Sequence, residues 1–165
     1  MPRYLIIDGY NAINKIKQFE DKKDTSLEAA RMLFINTLRD FMAQKKTFDK
    51  TLVVFDSKQD ALGLRRHVYG SVEALFTIEG KDADSVIVDL LKKALPDDKI
   101  SVSSDDNFVR NHARSFGKDI LSISELEQII MLKKKGAGSK IKEKDLGEDK
   151  TRIINEELRK HWGLE

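Results

Sequence analysis

A chain of 165 residues, 40% hydrophobic and 35% charged, carries enough apolar material for one domain with a sizeable core and is not a disordered polymer. Thirty basic against twenty-eight acidic residues leave +2, a balance that neither requires nor forbids a nucleic-acid partner, while the absence of cysteine excludes disulfides and thiolate metal sites. No run approaches the roughly 18 apolar residues of a membrane span and the stretch after Arg3 is too short for a signal segment, so a soluble, cytoplasmic protein with no membrane partner is expected.

Tyr4, Leu5, Ile6 and Ile7 form an apolar run without alternation, the pattern of a strand covered on both faces in a parallel sheet. It stops at Asp8 and Gly9. Asp8 either begins a turn or presents a charge beyond the strand's carboxyl end, where open α/β sheets bind their ligands. Residues 11–24 are polar, with scattered Ile13, Ile16 and Phe19, and read as a loop holding at most a short helical turn. Thr25 and Glu28 match a capping box, and Leu27, Ala30, Phe34, Leu38 and Phe41 follow at steps of three and four, which predicts an amphipathic helix ending near Lys45. Residues 51–55 are a second continuously apolar strand ending in an aspartate, Asp56. A right-handed strand, helix, strand crossover brings Asp8 and Asp56 out at the same edge of the sheet.

Residues 57–70 carry Lys58, Arg65, Arg66 and His67 among turn formers and read as a basic loop. A weaker third strand is expected over 72–77. Asp82 and Asp84 precede Val86, Ile87, Leu90, Leu91 and Ala94 at helical spacing, and either cap that helix or belong to a site; Pro96 and Asp97 stop it. A fourth strand over 100–103 is again followed by carboxylates, Asp105 and Asp106. A short helix over 108–115 carries Arg110 and Arg114. A fifth strand at Ile120 and Leu121 leads into a helix from Ser124, buried through Leu126, Ile129 and Ile130. The run from Lys133, Lys134 and Lys135 to Lys140 is basic, glycine-rich and aperiodic, and reads as a mobile loop or linker. Ile153, Ile154, Leu158 and Trp162 give a last helix an apolar stripe for docking on the domain. The expected organisation is a domain over 1–132, a basic linker over 133–148 and a terminal helix over 149–165.

Asp8, Asp56, Asp84 and Asp105 thus stand at three strand ends and one helix start, positions that a doubly wound sheet gathers into one cleft. Carboxylates at close range repel, and the common relief is a hard divalent cation with oxygen ligands. A bound magnesium ion lowers the pKa of a water and stabilises a leaving oxygen, which suits phosphodiester hydrolysis. Other chemistries fit less well. His67, His112 and His161 show no metal-ligand spacing, and neither a nucleophile elbow, a G-x-G-x-x-G run nor a P-loop occurs. An aspartyl-phosphate enzyme wants an aspartate two residues after Asp8, where Tyr10 stands.

Asp8-Gly9-Tyr10-Asn11 after a strand, followed in order by Phe55-Asp56, Ala83-Asp84-Ser85 and Ser104-Asp105, resembles the YacP-like NYN domain proteins of the PIN-like nuclease superfamily over roughly residues 4–125. The resemblance implies a PIN-like three-layer α/β/α sandwich with a central parallel sheet and a Mg²⁺- or Mn²⁺-dependent endoribonuclease. It also implies Asp8, Asp56, Asp84 and Asp105 as metal-site acids, with Asn11 in support. One departure is that Asp105 is followed two positions later by Asn107, where many such proteins have a second aspartate. This weighs against a second tightly held metal, and the adjacent Asp106 is expected to point elsewhere. The implied partner is RNA, met free or in a ribonucleoprotein such as the ribosome. Lys58, Arg65, Arg66, Arg110, Arg114 and the lysines at 133–135 are the candidates to hold its backbone, and Tyr10 and Phe108 to stack its bases. The alternative reading is a catalytically inactive RNA-binding module of the same fold, and a third is a structural or regulatory partner protein resting on the terminal helix.

Overall fold

The computed structural model describes residues 2–56, 65–77 and 81–135. Its frame is a six-stranded sheet in the order β3-β4-β2-β1-β5-β6. The strands are β1 (Arg3–Asp8), β2 (Lys50–Phe55), β3 (Arg65–Tyr69), β4 (Val72–Phe76), β5 (Lys99–Ser103) and β6 (Asp119–Leu121). All neighbours pair in parallel except β3 and β4. The non-alternating apolar runs have a direct cause: each inner strand feeds two cores. Leu5, Ile7, Val53 and Phe55 pack beneath the helices α1 (Gly9–Lys15), α2 (Lys17–Lys22), α3 (Leu27–Gln44) and α6 (Ile123–Lys135). Tyr4, Ile6, Leu52 and Val54 pack on the other face against α4 (Ala83–Lys93) and α5 (Asn107–Ser115). The chain is therefore a three-layer α/β/α sandwich. Because it leaves β1 toward β2 on one side and returns to β5 on the other, the strand order reverses at β1, and a crevice opens beyond the carboxyl ends there.

Three local readings change. The stretch after Asp8 is helical, as α1 and α2, and not a loop: Ala12, Ile13, Ile16 and Phe19 are all fully buried at helical spacing beneath α3, outweighing the polar residues between them. Residues 65–69, read as part of a basic loop, form the edge strand β3. Tyr69 pairs with Val72 across a two-residue turn whose first residue, Gly70, has φ +69°, the left-handed backbone that tight hairpins need. Ser26 caps α3 in place of Thr25, its Oγ accepting from the Ala29 N–H at 2.9 Å. A capping box does occur at the start of α6, where Ser122 and Glu125 exchange hydrogen bonds at 2.8 and 3.0 Å.

Lys133, Lys134 and Lys135 end α6, while the rest of the basic segment and the expected terminal helix lie outside the described residues. Among the described residues no helix is long and apolar enough to cross a membrane.

Candidate active site at the carboxyl edge of the sheet

Asp8 closes β1 and is 8% exposed. The helix α1 starts at the very next residue, and this abrupt switch depends on Gly9: a Cβ there would lie 2.5 Å from the Phe55 ring and 3.0 Å from Val53 Cγ1. Burial, then the nearby Asp84 carboxylate, push the Asp8 carboxyl up to about 6, although the Ser104 hydroxyl and the Asn11 backbone N–H both donate to it. Asp56 directly follows β2, and its Oδ1 is buried with no hydrogen-bond partner among the described residues. Asp84 lies in the first turn of α4, which is capped by Asp82 through the Ser85 N–H at 2.9 Å. Burial raises the Asp84 carboxyl to about 6 as well, helped by Asp106, Asp82 and Asp56. The capping role considered for this pair thus belongs to Asp82, and Asp84 faces the other acids.

Asp8, Asp56, Asp82 and Asp84 line one cavity of about 1030 Å³ together with Asn11. Asp105 does not line it. Its Oδ1 accepts from the Ile123 N–H at 3.0 Å and its Oδ2 from Lys15 Nζ at 3.2 Å, with Arg110 Nη1 at 3.9 Å. Burial alone would raise this carboxyl, but those donors outweigh it and hold it below the usual range. The neighbouring Asp106, expected to point elsewhere, does not line the cavity either, but its carboxylate lies near enough to Asp84 to help raise that carboxyl. The reason is a cap: Asp106 Oδ1 accepts from the Phe108 and Val109 N–H groups at 2.8 and 3.2 Å, which holds the carboxylate on the side of α4.

Two polar side chains tie the strand ends together. Asn11 Oδ1 accepts from the Asp105 N–H at 2.9 Å while its own N–H serves Asp8, so it fixes β1 against the β5 loop. Ser104, part of the Ser104-Asp105 motif but given no role from the sequence, accepts from the Asp106 N–H at 3.0 Å and donates to Asp8 at 3.3 Å. A hydroxyl directly after a strand and before two acids was the available signal. Of the expected stacking residues, Tyr10 packs against Phe55 and accepts from Arg31 Nη1 at 2.8 Å, whereas Phe108 is 48% exposed. Arg110 stands beside Asp105, Arg114 bonds Asn111, Arg66 is half-buried on β3, Arg65 begins β3, and Lys58 lies outside the described residues.

The family profile of the YacP-like NYN domain matches residues 5–163. The chain belongs to that family. Its fold is accordingly the nuclease-like fold of NYN domains. A curated relative, the uncharacterized protein YacP of Bacillus subtilis (strain 168), is 34% identical over 83 residues, which is 50% of this chain and 48% of that protein. The matched stretch thus spans about half the length of that relative. Among solved structures, Rae1 (YacP) from Bacillus subtilis superposes with a TM-score of 0.66 at 24% identity, covering 93% of this chain and 82% of that one. A mutant form of the same protein gives 0.64 at 24%, covering 96% and 92%. At that identity the likeness concerns the fold.

The donor set at this cleft suits a hard divalent cation: its carboxylates offer only oxygen, one carboxylate oxygen is buried without a partner among the described residues, and two carboxyls are raised by burial and by neighbouring carboxylates. Among the described residues, however, no three His, Asp or Glu side chains stand in an arrangement ready to hold an ion.

Proposed function

We propose that this protein is a cytoplasmic, Mg²⁺- or Mn²⁺-dependent endoribonuclease that hydrolyses RNA phosphodiester bonds at the cleft of Asp8, Asp56 and Asp84. The observation that carries the reading is the convergence of these three acids from β1, β2 and α4 on one cavity, with Asp8 and Asp84 both raised to about 6. Buried like charges are expensive, and a fold that keeps them together has a use for a counter-charge. Asp8, Asp56 and Asp84 would hold the ion, which when bound supplies an acidified water and charge neutralisation at the phosphate.

The chain's own residues prepare that site. Ser104 and the Asn11 N–H orient the Asp8 carboxylate, and Asn11 Oδ1 keeps the Asp105 loop in register with β1. Asp106 adds negative charge beside Asp84, which a bound cation would offset. Asp105 acts from the rim, as the anchor that joins Lys15, Arg110 and the start of α6. RNA, free or within a ribonucleoprotein such as the ribosome, is the proposed partner, with Arg66, Arg110 and Arg114 as phosphate contacts.

A time course on labelled single-stranded RNA with Mg²⁺, Mn²⁺ or EDTA tests the reading, beside thermal melts of Asp8→Asn and Asp84→Asn. Metal-dependent cleavage that both variants lose while folded is the expected result. Cleavage indifferent to EDTA, or full activity in Asp8→Asn, would overturn it. A second reading, an RNA-binding module without catalysis, draws on the lack of a ready-made metal group among the described residues. RNA binding without cleavage in either metal would favour that module.

A further inference from the structure

The cavity has a second end that metal chemistry leaves unused. From Tyr10 outward, five rings follow one another on a single face of the sheet: Tyr10 to Phe55 at 5.0 Å, Phe55 to Phe76 at 5.2 Å, Phe76 to His67 at 5.7 Å and His67 to Tyr69 at 6.4 Å between centroids. The register explains the alignment, because Tyr69 and His67 on β3 lie opposite Val72 and Ala74 on β4 and share their face with Phe76. Phe55 is fully buried, so the inner end is core. The outer end is not: Tyr69 is half-buried, His67 is exposed, and both line the same cavity as the acids. Leu27 and Met32 of α3 also line it, although they are 43% and 36% exposed. The surface is thus apolar and aromatic at one end and carboxylate-rich at the other.

Arg31 stands between the two ends. Its guanidinium lies 5.5 Å from the centre of the Phe76 ring and donates to the Tyr10 hydroxyl, its only hydrogen bond among the described residues. It is also the one Lys or Arg among the described residues lining the cavity. An orientated guanidinium with N–H groups to spare is a phosphate ligand, and flat rings beside it are a surface for bases.

We infer that His67, Tyr69 and the Arg31–Phe76 pair form a nucleobase subsite, in which one unpaired base stacks on the β3 rings while Arg31 takes an adjoining phosphate and directs the strand toward the acids. This rests on the proposed RNA substrate and deepens it: a base held in this way has left its helix, so the substrate at this point is single-stranded.

The test measures fluorescence anisotropy of a labelled single-stranded RNA octamer in EDTA with the full chain. It compares the octamer with an abasic octamer of equal length and charge and with a duplex. The native protein should prefer the base-bearing single strand. Tyr69→Ala and His67→Ala should each weaken that binding by roughly tenfold and leave the abasic octamer unchanged, and Tyr69→Phe should retain native affinity. Arg31→Gln should weaken both octamers and flatten the salt dependence. Equal losses on the base-bearing and abasic strands, no loss in the alanine variants, or no binding of the single strand by native protein would each overturn the subsite. Cleavage is scored separately in Mg²⁺ and Mn²⁺. Base-selective binding without cleavage keeps the subsite and removes the nuclease; metal-dependent cleavage untouched by Tyr69→Ala and His67→Ala keeps the nuclease and removes the subsite.

Discussion

Replacing Asp8 by Asn should stabilise the metal-free protein at neutral pH while disabling it. The Asp8 carboxyl rises from 3.8 to about 6 on folding, chiefly through burial and secondarily through Asp84, so the folded chain holds that proton more tightly than the unfolded chain does. A shift of about two units at about 1.4 kcal/mol each amounts to a penalty on the order of 3 kcal/mol, carried at every pH well above 6. The penalty is in full force at pH 8, falls to about half near pH 5 as the native carboxyl takes up its proton, and vanishes below the unfolded value. Asparagine carries no charge at any pH, but it has one acceptor oxygen for two donors, the Ser104 hydroxyl and the Asn11 N–H, which returns about 1 kcal/mol. The net gain in urea denaturation with EDTA should therefore be about 1–2 kcal/mol at pH 8 and close to zero or negative at pH 4. Added Mg²⁺ or Mn²⁺ should then stabilise the native chain in proportion to the logarithm of its concentration and leave the variant unmoved. A variant less stable than the native chain at pH 8, or a difference that does not change with pH, would refute the reasoning.

Lys50→Met should cost about 3–5 kcal/mol in urea denaturation, because it removes the ammonium 3.2 Å from a glutamate side chain that is 0% exposed; replacing both residues by apolar ones should recover most of the loss. Gly9→Ala should destabilise by about 1–3 kcal/mol, since the Phe55 ring must move, and the displaced Asp8 should lower RNA cleavage along with it. Asp106→Asn should reduce cleavage more than Asp105→Asn does at unchanged melting temperature, because asparagine still caps α5 but takes away the negative charge beside Asp84. The opposite ranking in a labelled-RNA assay would return Asp105 to the cleft.

The parts of this site that the sequence made legible are those set by backbone direction. A strand that feeds two cores must be apolar at every position, so Tyr4, Leu5, Ile6 and Ile7 announce β1, and the first charge after such a run has to emerge at the carboxyl edge. Asp8 and Asp56 follow from that rule, and Asp84 from the start of the helix that crosses back. Which of two adjacent carboxylates lies nearer Asp84 is a different kind of question. Asp105 and Asp106 leave the same strand, and their directions are decided by Lys15, ninety residues upstream, by the Ile123 N–H and by the first turn of α5. None of these partners is visible from local spacing. Edge strands fail for the opposite reason: β3 needs no continuous apolar pattern, since one neighbour and one face of cover suffice, and Arg65, Arg66 and His67 therefore resembled a loop. The same polarity leaves His67 and Tyr69 open toward the cavity. Residues that looked least like an element thus supply the wall beside the acids, because a strand freed from filling a core can spend its side chains on a ligand.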